Sequence, residues 1–267
     1  MNVKSLPVAV AERVIPKTVL YRLRAYRSRA RGHNPELALL PKMNHRGIFL
    51  DIGANIGDFS RVASLIFREV VAFEPIPELA SKLRAELPEK VTVHALALAD
   101  TPGASTLYVP QRVGETITAL ASLDRTANQM PEVKEIPVET RTVDSFGFSC
   151  VDVIKIGVEG LEEFVLKGAR DTLRANRPVV IVEIEDRHHP GKTVRVFQFL
   201  WDLGFKAFYY LDATLYPVIK PAEGSTSEDM NRSHLGTYVN NFIFLHPQRP
   251  QAQLDSLISS GQGLAGI

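Results

Sequence analysis

From Gly47 onward, short apolar runs alternate with stretches whose apolar residues recur at helical spacing. Ile48–Asp51, Val70–Glu74, Val91–Ala97, Val151–Ile156 and Val179–Glu185 are strand-length runs. Phe59–Ile66, Glu78–Leu87, Gly160–Leu173 and Thr193–Leu203 carry helical faces between them. Runs that are apolar throughout, rather than at every second position, mark strands buried on both faces. The order therefore predicts an α/β fold with a mainly parallel sheet under helices. Phe205–Leu211 and Val239–Leu245 follow without an obvious crossover helix, which predicts a terminal antiparallel pair.

Two stretches break this rhythm. Leu107–Val109 and Val138–Thr142 are predicted to pair as short strands, with Gly114–Glu132 a loop or lid between them, and Pro217–Leu235 is a second polar insertion. Long loops in a compact domain often cover a functional mouth. The expected organisation is a basic N-terminal helical segment or cap over residues 1–46 and a domain over 47–247. That domain carries insertions near 110–135 and 217–236, and a weakly ordered tail follows over 248–267.

The chain has 267 residues, 45% of them hydrophobic, enough for a substantial single core. Cys150 is the only cysteine, which excludes an internal disulfide and a cysteine-rich metal cluster and makes a reducing cytoplasm the simplest location. A formal charge of +1 gives no global footprint for nucleic acid. The charge is uneven, however: Lys4, Arg13, Lys17, Arg22, Arg24, Arg27, Arg29 and Arg31 face the single acid Glu12 within residues 1–32. With Val14, Ile15, Val19, Leu20, Leu23 and Tyr26 interspersed, this segment suits either a cap on the domain or peripheral contact with the inner face of a membrane. No apolar run is long enough to span a bilayer.

Candidate chemistry begins at FLDIGANIGDFS, where Asp51, Gly53, Asn55 and Gly57 punctuate a strand as it turns into a helix. Glycines there allow a tight turn and close approach of a ligand. VVAFEP then ends a second strand in Glu74, about twenty residues on, where a carboxylate accepts from ribose hydroxyls in nucleotide-binding α/β folds. The turn lacks the third glycine of a dinucleotide fingerprint and the Lys-Ser or Lys-Thr pair of a phosphate loop. An adenosine cofactor without phosphates, S-adenosylmethionine, fits these residues best.

With VDVIKIGVEGLEEFVLKGARDTL, RPVVIVEIE and the late NNFIFL added to those two blocks, the chain resembles the FkbM family of S-adenosylmethionine-dependent methyltransferases over about Ile48–Leu245. The resemblance implies a class I methyltransferase, Rossmann-like fold with seven strands, the last antiparallel. It also implies O-methylation of a small-molecule or glycan acceptor. It places Asp51, Gly53, Asn55 and Gly57 on the cofactor, Glu74 on the ribose, and Asp100 or its neighbour Leu98 near the adenine. The family commonly reads IKIDVEG where this chain reads IKIGVEG, so Gly157 departs from the pattern at a position that otherwise supplies a carboxylate near the reacting centre.

Methyl transfer to a hydroxyl needs alignment of the acceptor and a base for its proton. The DRHHP segment after VVIVEIE places His188 and His189 beyond a strand end, with Glu185 or Asp186 able to fix a tautomer. His188 is the preferred base, with Glu159 and Glu185 as catalytic candidates and Lys155, His189 and Asn240 as substrate-binding ones. Glu159 alternatively opens the helix near Gly160, where an acid favours the helix dipole, and Lys155 is alternatively an ion-pair partner. Adjacent histidines are not a diagnostic metal spacing, and no metal is expected. A nitrogen or carboxylate acceptor, or a cofactor-binding protein without transfer activity, are the competing readings.

Overall fold

A computed structural model describes residues 34–43, 47–112, 115–127, 131–185, 191–218 and 230–258. The main sheet has eight strands: β1 (Ile48–Ile52), β2 (Glu69–Phe73), β3 (Val91–His94), β8 (Val151–Ile156), β9 (Val179–Glu183), β10 (Lys206–Leu211), β11 (Thr214–Pro217) and β12 (Asn241–Leu245). Their spatial order is β11-β10-β12-β9-β8-β1-β2-β3. β3, β2, β1, β8 and β9 are parallel neighbours, while β12 enters antiparallel between β9 and β10. The expected antiparallel pair is thus β10 with β12.

One strand more than the seven expected comes from β11, which folds back on β10 with Leu211 opposite Thr214. Asp212 and Ala213 form the two-residue turn at φ 48° and 62°. Positive φ at both central residues is the hairpin turn that asparagine and glycine normally signal, and alanine hides it in the sequence.

Helices cover both faces. On one face, α3 (Glu162–Lys167), α4 (Arg170–Asn176) and α5 (Lys192–Asp202) pack Val165, Leu166, Leu173, Val196, Phe197 and Leu200 against Leu50, Ile154, Val182 and Phe242. On the other, α1 (Asp58–Ala63) and α2 (Pro77–Glu86) bring Phe59, Val62, Ala80 and Leu83 to Phe49, Val70, Val153 and Ile181. Two 3-10 turns, Pro35–Ala38 and Leu40–Lys42, add Leu37, Leu39, Leu40 and Met43 to that second face. The run expected as one helix from Gly160 to Leu173 is two, α3 and α4, with Gly168 between them. A Cβ on Gly168 would strike the backbone carbonyl of Ala99, so the chain approaches too closely there for a side chain.

The first insertion builds a second sheet, β4 (Ala97–Leu98), β7 (Val133–Arg141), β5 (Gly103–Arg112) and β6 (Glu115–Thr116), in that order. Its small core of Leu107, Val109, Ile136 and Val138 rests on Ile76 and Ala97. Since β4 follows directly on β3, the insertion stands over the carboxyl end of the main sheet, where open α/β folds bind ligands.

Candidate cofactor and acceptor site

Alternation along the strands puts Asp51, Glu74, Lys155 and Glu183 on one sheet face, at or just past the carboxyl ends of β1, β2, β8 and β9. They continue the rows of Phe49, Val70, Val153 and Ile181, so each polar group sits where an apolar row runs out.

Gly53, at φ 77°, begins the turn after β1, and a Cβ there would collide with the carbonyl oxygen of Gly157. The turns after β1 and β8 therefore meet backbone to backbone, locked by the Gly157 N–H donating to the Ile52 carbonyl at 3.0 Å. Gly57, at φ 79°, caps α1, and its Cβ would lie 2.5 Å from Leu83 Cδ2. Its role is to let α1 begin against α2, and it does not line the cavity described below.

Glu74 splints the same turn. Its Oε2 accepts the Asn55 N–H at 2.7 Å and its Oε1 the Ile76 N–H at 2.9 Å. Burial pushes its pKa up, opposed by those two N–H groups. Asp51 Oδ2 accepts from Ser60 Oγ at 2.6 Å, while its Oδ1 is buried with no hydrogen-bond partner among the described residues. Burial raises the Asp51 pKa as well, with Lys155 and Ser60 working against the shift. A buried carboxylate oxygen without a donor is costly unless a ligand supplies one.

These groups open on a cavity of about 990 Å³, of the size that small-molecule sites occupy. Asp51, Gly53 and Asn55, from β1 and its turn, line the middle, and Glu74 with Leu96, Ala97 and Leu98 lines the β2 side. Lys155, Gly157, Glu159 and Glu183 stand opposite. Thr118, Ser122 and Leu123 of the insertion close it from above, and Thr118 Oγ1 donates to Asn55 Oδ1 at 3.3 Å. The stretch expected as a loop or lid thus reaches the turn after β1. Asp100 is off this lining, its carboxylate 3.4 Å from Thr101 Oγ1, and Leu98 is the residue of that pair that fronts the cavity.

On the β8 side, Lys155 is 9% exposed and forms no ion pair within 4 Å among the described residues; its ammonium lies 5.4 Å from the centre of the Phe59 ring. The ion pair considered for it is replaced by diffuse attraction to Asp51, Glu74, Glu183 and Glu36. Glu159 sits in the turn after β8 at φ 47° and does not open a helix, as α3 starts only at Glu162. Glu183 and Glu185 share Asn240, whose Nδ2 donates to Glu185 Oε1 at 3.1 Å and Glu183 Oε1 at 3.4 Å. Asn240 is itself off the cavity, behind these carboxylates. Asp186, His188 and His189 fall outside the described residues. Among the described residues, no group of three or more His, Cys, Asp or Glu side chains is arranged to hold a metal ion.

Three features had no clear local signal. Glu162 pairs with Lys192 between α3 and α5, both buried, and Glu162 Oε1 also accepts the N–H groups of Gly160 at 3.1 Å and Val158 at 3.4 Å. Glu36, on the first 3-10 turn, is buried with Oε2 unpartnered among the described residues. Burial pushes its pKa up to about 7, with Glu183 adding to the shift and Lys155 opposing it. Glu183 fell near the end of the run expected as a strand, Val179–Glu185, at the sheet edge that favours ligands, with no role of its own.

The strand order, with a cavity over the carboxyl ends of β1, β2 and β8, defines the class I methyltransferase fold. Residues 51–207 match the methyltransferase FkbM domain, and the chain belongs to that family. Among solved structures it is similar to a methyltransferase FkbM from Methylobacillus flagellatus KT, at 14% identity and a TM-score of 0.45 over 88% of this chain. The chain spans 60% of that protein's length. It is also similar to a precorrin-6y C5,15-methyltransferase from Geobacter metallireducens GS-15, at 13% identity and TM-score 0.40 over 80% of this chain and 84% of the other. An rRNA methylase from Streptococcus thermophilus matches at 11% identity and TM-score 0.41, over 80% of this chain and 92% of the other. No curated protein matches the sequence.

Proposed function

We propose that this protein uses S-adenosylmethionine to methylate a hydroxyl group on a sugar, glycolipid or secondary metabolite. The observation that carries the reading is the joint placement of Asp51, with its unpartnered oxygen, and Glu74 around a glycine turn that opens into a cavity with room beyond a cofactor. When bound, the cofactor supplies a methyl group on a good leaving group, so the protein's task is chiefly alignment and exclusion of water. Asp51 would take a donor from the amino-acid end and Glu74 the ribose hydroxyls. Leu96, Ala97 and Leu98 would face the adenine.

The acceptor side favours a hydroxyl. Glu159 and Glu183 line it as hydrogen-bond acceptors and Lys155 is the cation beside them, so a neutral polyhydroxyl compound meets groups that accept its protons. Thr118, Ser122 and Leu123 form the wall that would exclude water. The reading is tested by incubating the protein and S-adenosylmethionine with panels of sugars, glycolipids and polyketide-like alcohols. The expected result is a product heavier by one methylene, with the methyl on oxygen by fragmentation. Methylation on nitrogen or a carboxylate, or cofactor binding with no product in any panel, would refute it.

A further inference from the structure

We propose that Glu183 takes the proton of the methylated hydroxyl, acting from β9 in place of the carboxylate that Gly157 lacks, with Lys155 as the cation beside it. This assignment rests on the hydroxyl-methylation reading above. Ile156 and Val182 are register partners in β8 and β9, so Gly157 and Glu183 are neighbours just beyond them. Gly157 is not among the residues of positive φ, so its backbone does not require glycine. What the glycine provides is room. A Cβ at 157 would run into Lys155 Nζ and stand 3.4 Å from Glu183 Oε2, so the ammonium and that oxygen border the space a side chain would fill.

Glu183 is held as a proton acceptor must be. Asn240 binds Oε1, while Oε2 has no hydrogen-bond partner among the described residues and its side chain lines the cavity. The charged groups around it are Lys155 from β8, Glu159 and Glu162 from the turn after β8 and α3, Glu185 beyond its own strand, and Glu36 from the first 3-10 turn. Burial first, and then the acids, raise its affinity for a proton, while Lys155 keeps the ionised form accessible. A carboxylate so placed moves toward the working pH that general-base catalysis favours. In the step, the acceptor oxygen forms its bond to the methyl carbon as the carbon–sulfur bond breaks, with that electron pair staying on sulfur. The hydroxyl proton passes to Glu183 Oε2, giving a neutral carboxylic acid, a neutral thioether and the methyl ether.

The experiment uses the full chain with the hydroxyl acceptor recovered from the panels, and S-adenosylhomocysteine as the calorimetric probe of the cofactor site. Glu183→Gln is expected to lower kcat by about 100-fold or more and to abolish the acidic limb of the pH–rate profile. Its affinity for S-adenosylhomocysteine should stay within about threefold, the margin that separates loss of a base from a disturbed cofactor site. Lys155→Met should move the acidic limb to higher pH. Adding Gly157→Asp to Glu183→Gln should recover at least about tenfold in kcat, because it returns a carboxylate to the adjoining space. A Glu183→Gln enzyme with the wild-type rate and pH limb overturns the assignment alone, as does a limb lost in His188→Ala but kept in Glu183→Gln. Equal losses of kcat and probe affinity, with no rescue by Gly157→Asp, would show a structural role instead. A wild-type product methylated on nitrogen or a carboxylate overturns the parent reading and this assignment together.

Discussion

Removing the ammonium of Lys192 should destabilise the protein strongly, because the charge it leaves behind has nowhere to go. Lys192 opens α5 and Glu162 lies in the first turn of α3, and each residue is 1% exposed. Lys192→Met fills similar volume but strands a buried carboxylate, which costs about 3–5 kcal/mol. The double variant Glu162→Leu/Lys192→Met removes both charges, so the desolvation penalty disappears with the attraction. It does not return to wild-type stability, since Glu162 Oε1 also satisfies the Gly160 N–H at 3.1 Å, and the unmet donor costs about 1–3 kcal/mol. The double variant should therefore be more stable than Lys192→Met alone. Urea unfolding of the four proteins, read as a thermodynamic cycle, measures this, with the slope m checked for constancy. A Lys192→Met loss under about 1 kcal/mol, or a double variant equal to the sum of the singles, would refute the reasoning.

Gly53→Ala should abolish measurable S-adenosylhomocysteine binding in calorimetry, since its Cβ would meet the Gly157 carbonyl at a positive φ; wild-type affinity would show that the two turns separate freely. Asp51→Ala and Glu74→Ala should each weaken that affinity by about tenfold or more, as expected for loss of a charged hydrogen bond, and unchanged affinity in both folded variants would remove them from the cofactor site. Glu36 gives a pH signature: its folded pKa of about 7 lies above the ordinary glutamate value of 4.5, so the folded state binds the extra proton and stability falls as pH rises from about 4.5 to 7. Glu36→Gln should flatten that part of the stability curve and gain up to about 3 kcal/mol above neutrality, and an unchanged slope in urea melts across that range would contradict the buried carboxyl.

The parallel core was legible because central strands are buried on both faces, so β1, β2, β8 and β9 stand out as apolar runs whatever packs on them. The turn after β1 was legible for a related reason: glycines and acids interrupt the apolar runs there, and Asp51, Gly53, Asn55 and Glu74 meet at one cavity. β11 was not, because Asp212 and Ala213 carry the turn without its usual residues. Nor was the Glu162–Lys192 pair, since each looks like an ordinary helical charge and only the packing of α3 on α5 brings them together and buries them. The helix-opening alternative for Glu159 failed for the opposite reason. Its acid suits a helix start, yet the first helical turn belongs to Glu162 and Glu163, and Glu159 is held in a left-handed turn that faces the cavity.

Gly157 shows how the two sources complement each other. In the sequence it is a lost carboxylate, which argues against catalysis by that position. In the structure the same absence leaves a space that Lys155 Nζ and Glu183 Oε2 border. The departure therefore leaves an acid, Glu183, on the neighbouring strand at the same cavity. Because Glu183, Lys155 and Asp51 share one face at the ends of three adjacent strands, a carboxylate displaced by one strand still borders the same cavity. A sheet edge tolerates such an exchange because its rows of side chains run across strands, and neighbouring rows reach the same ligand.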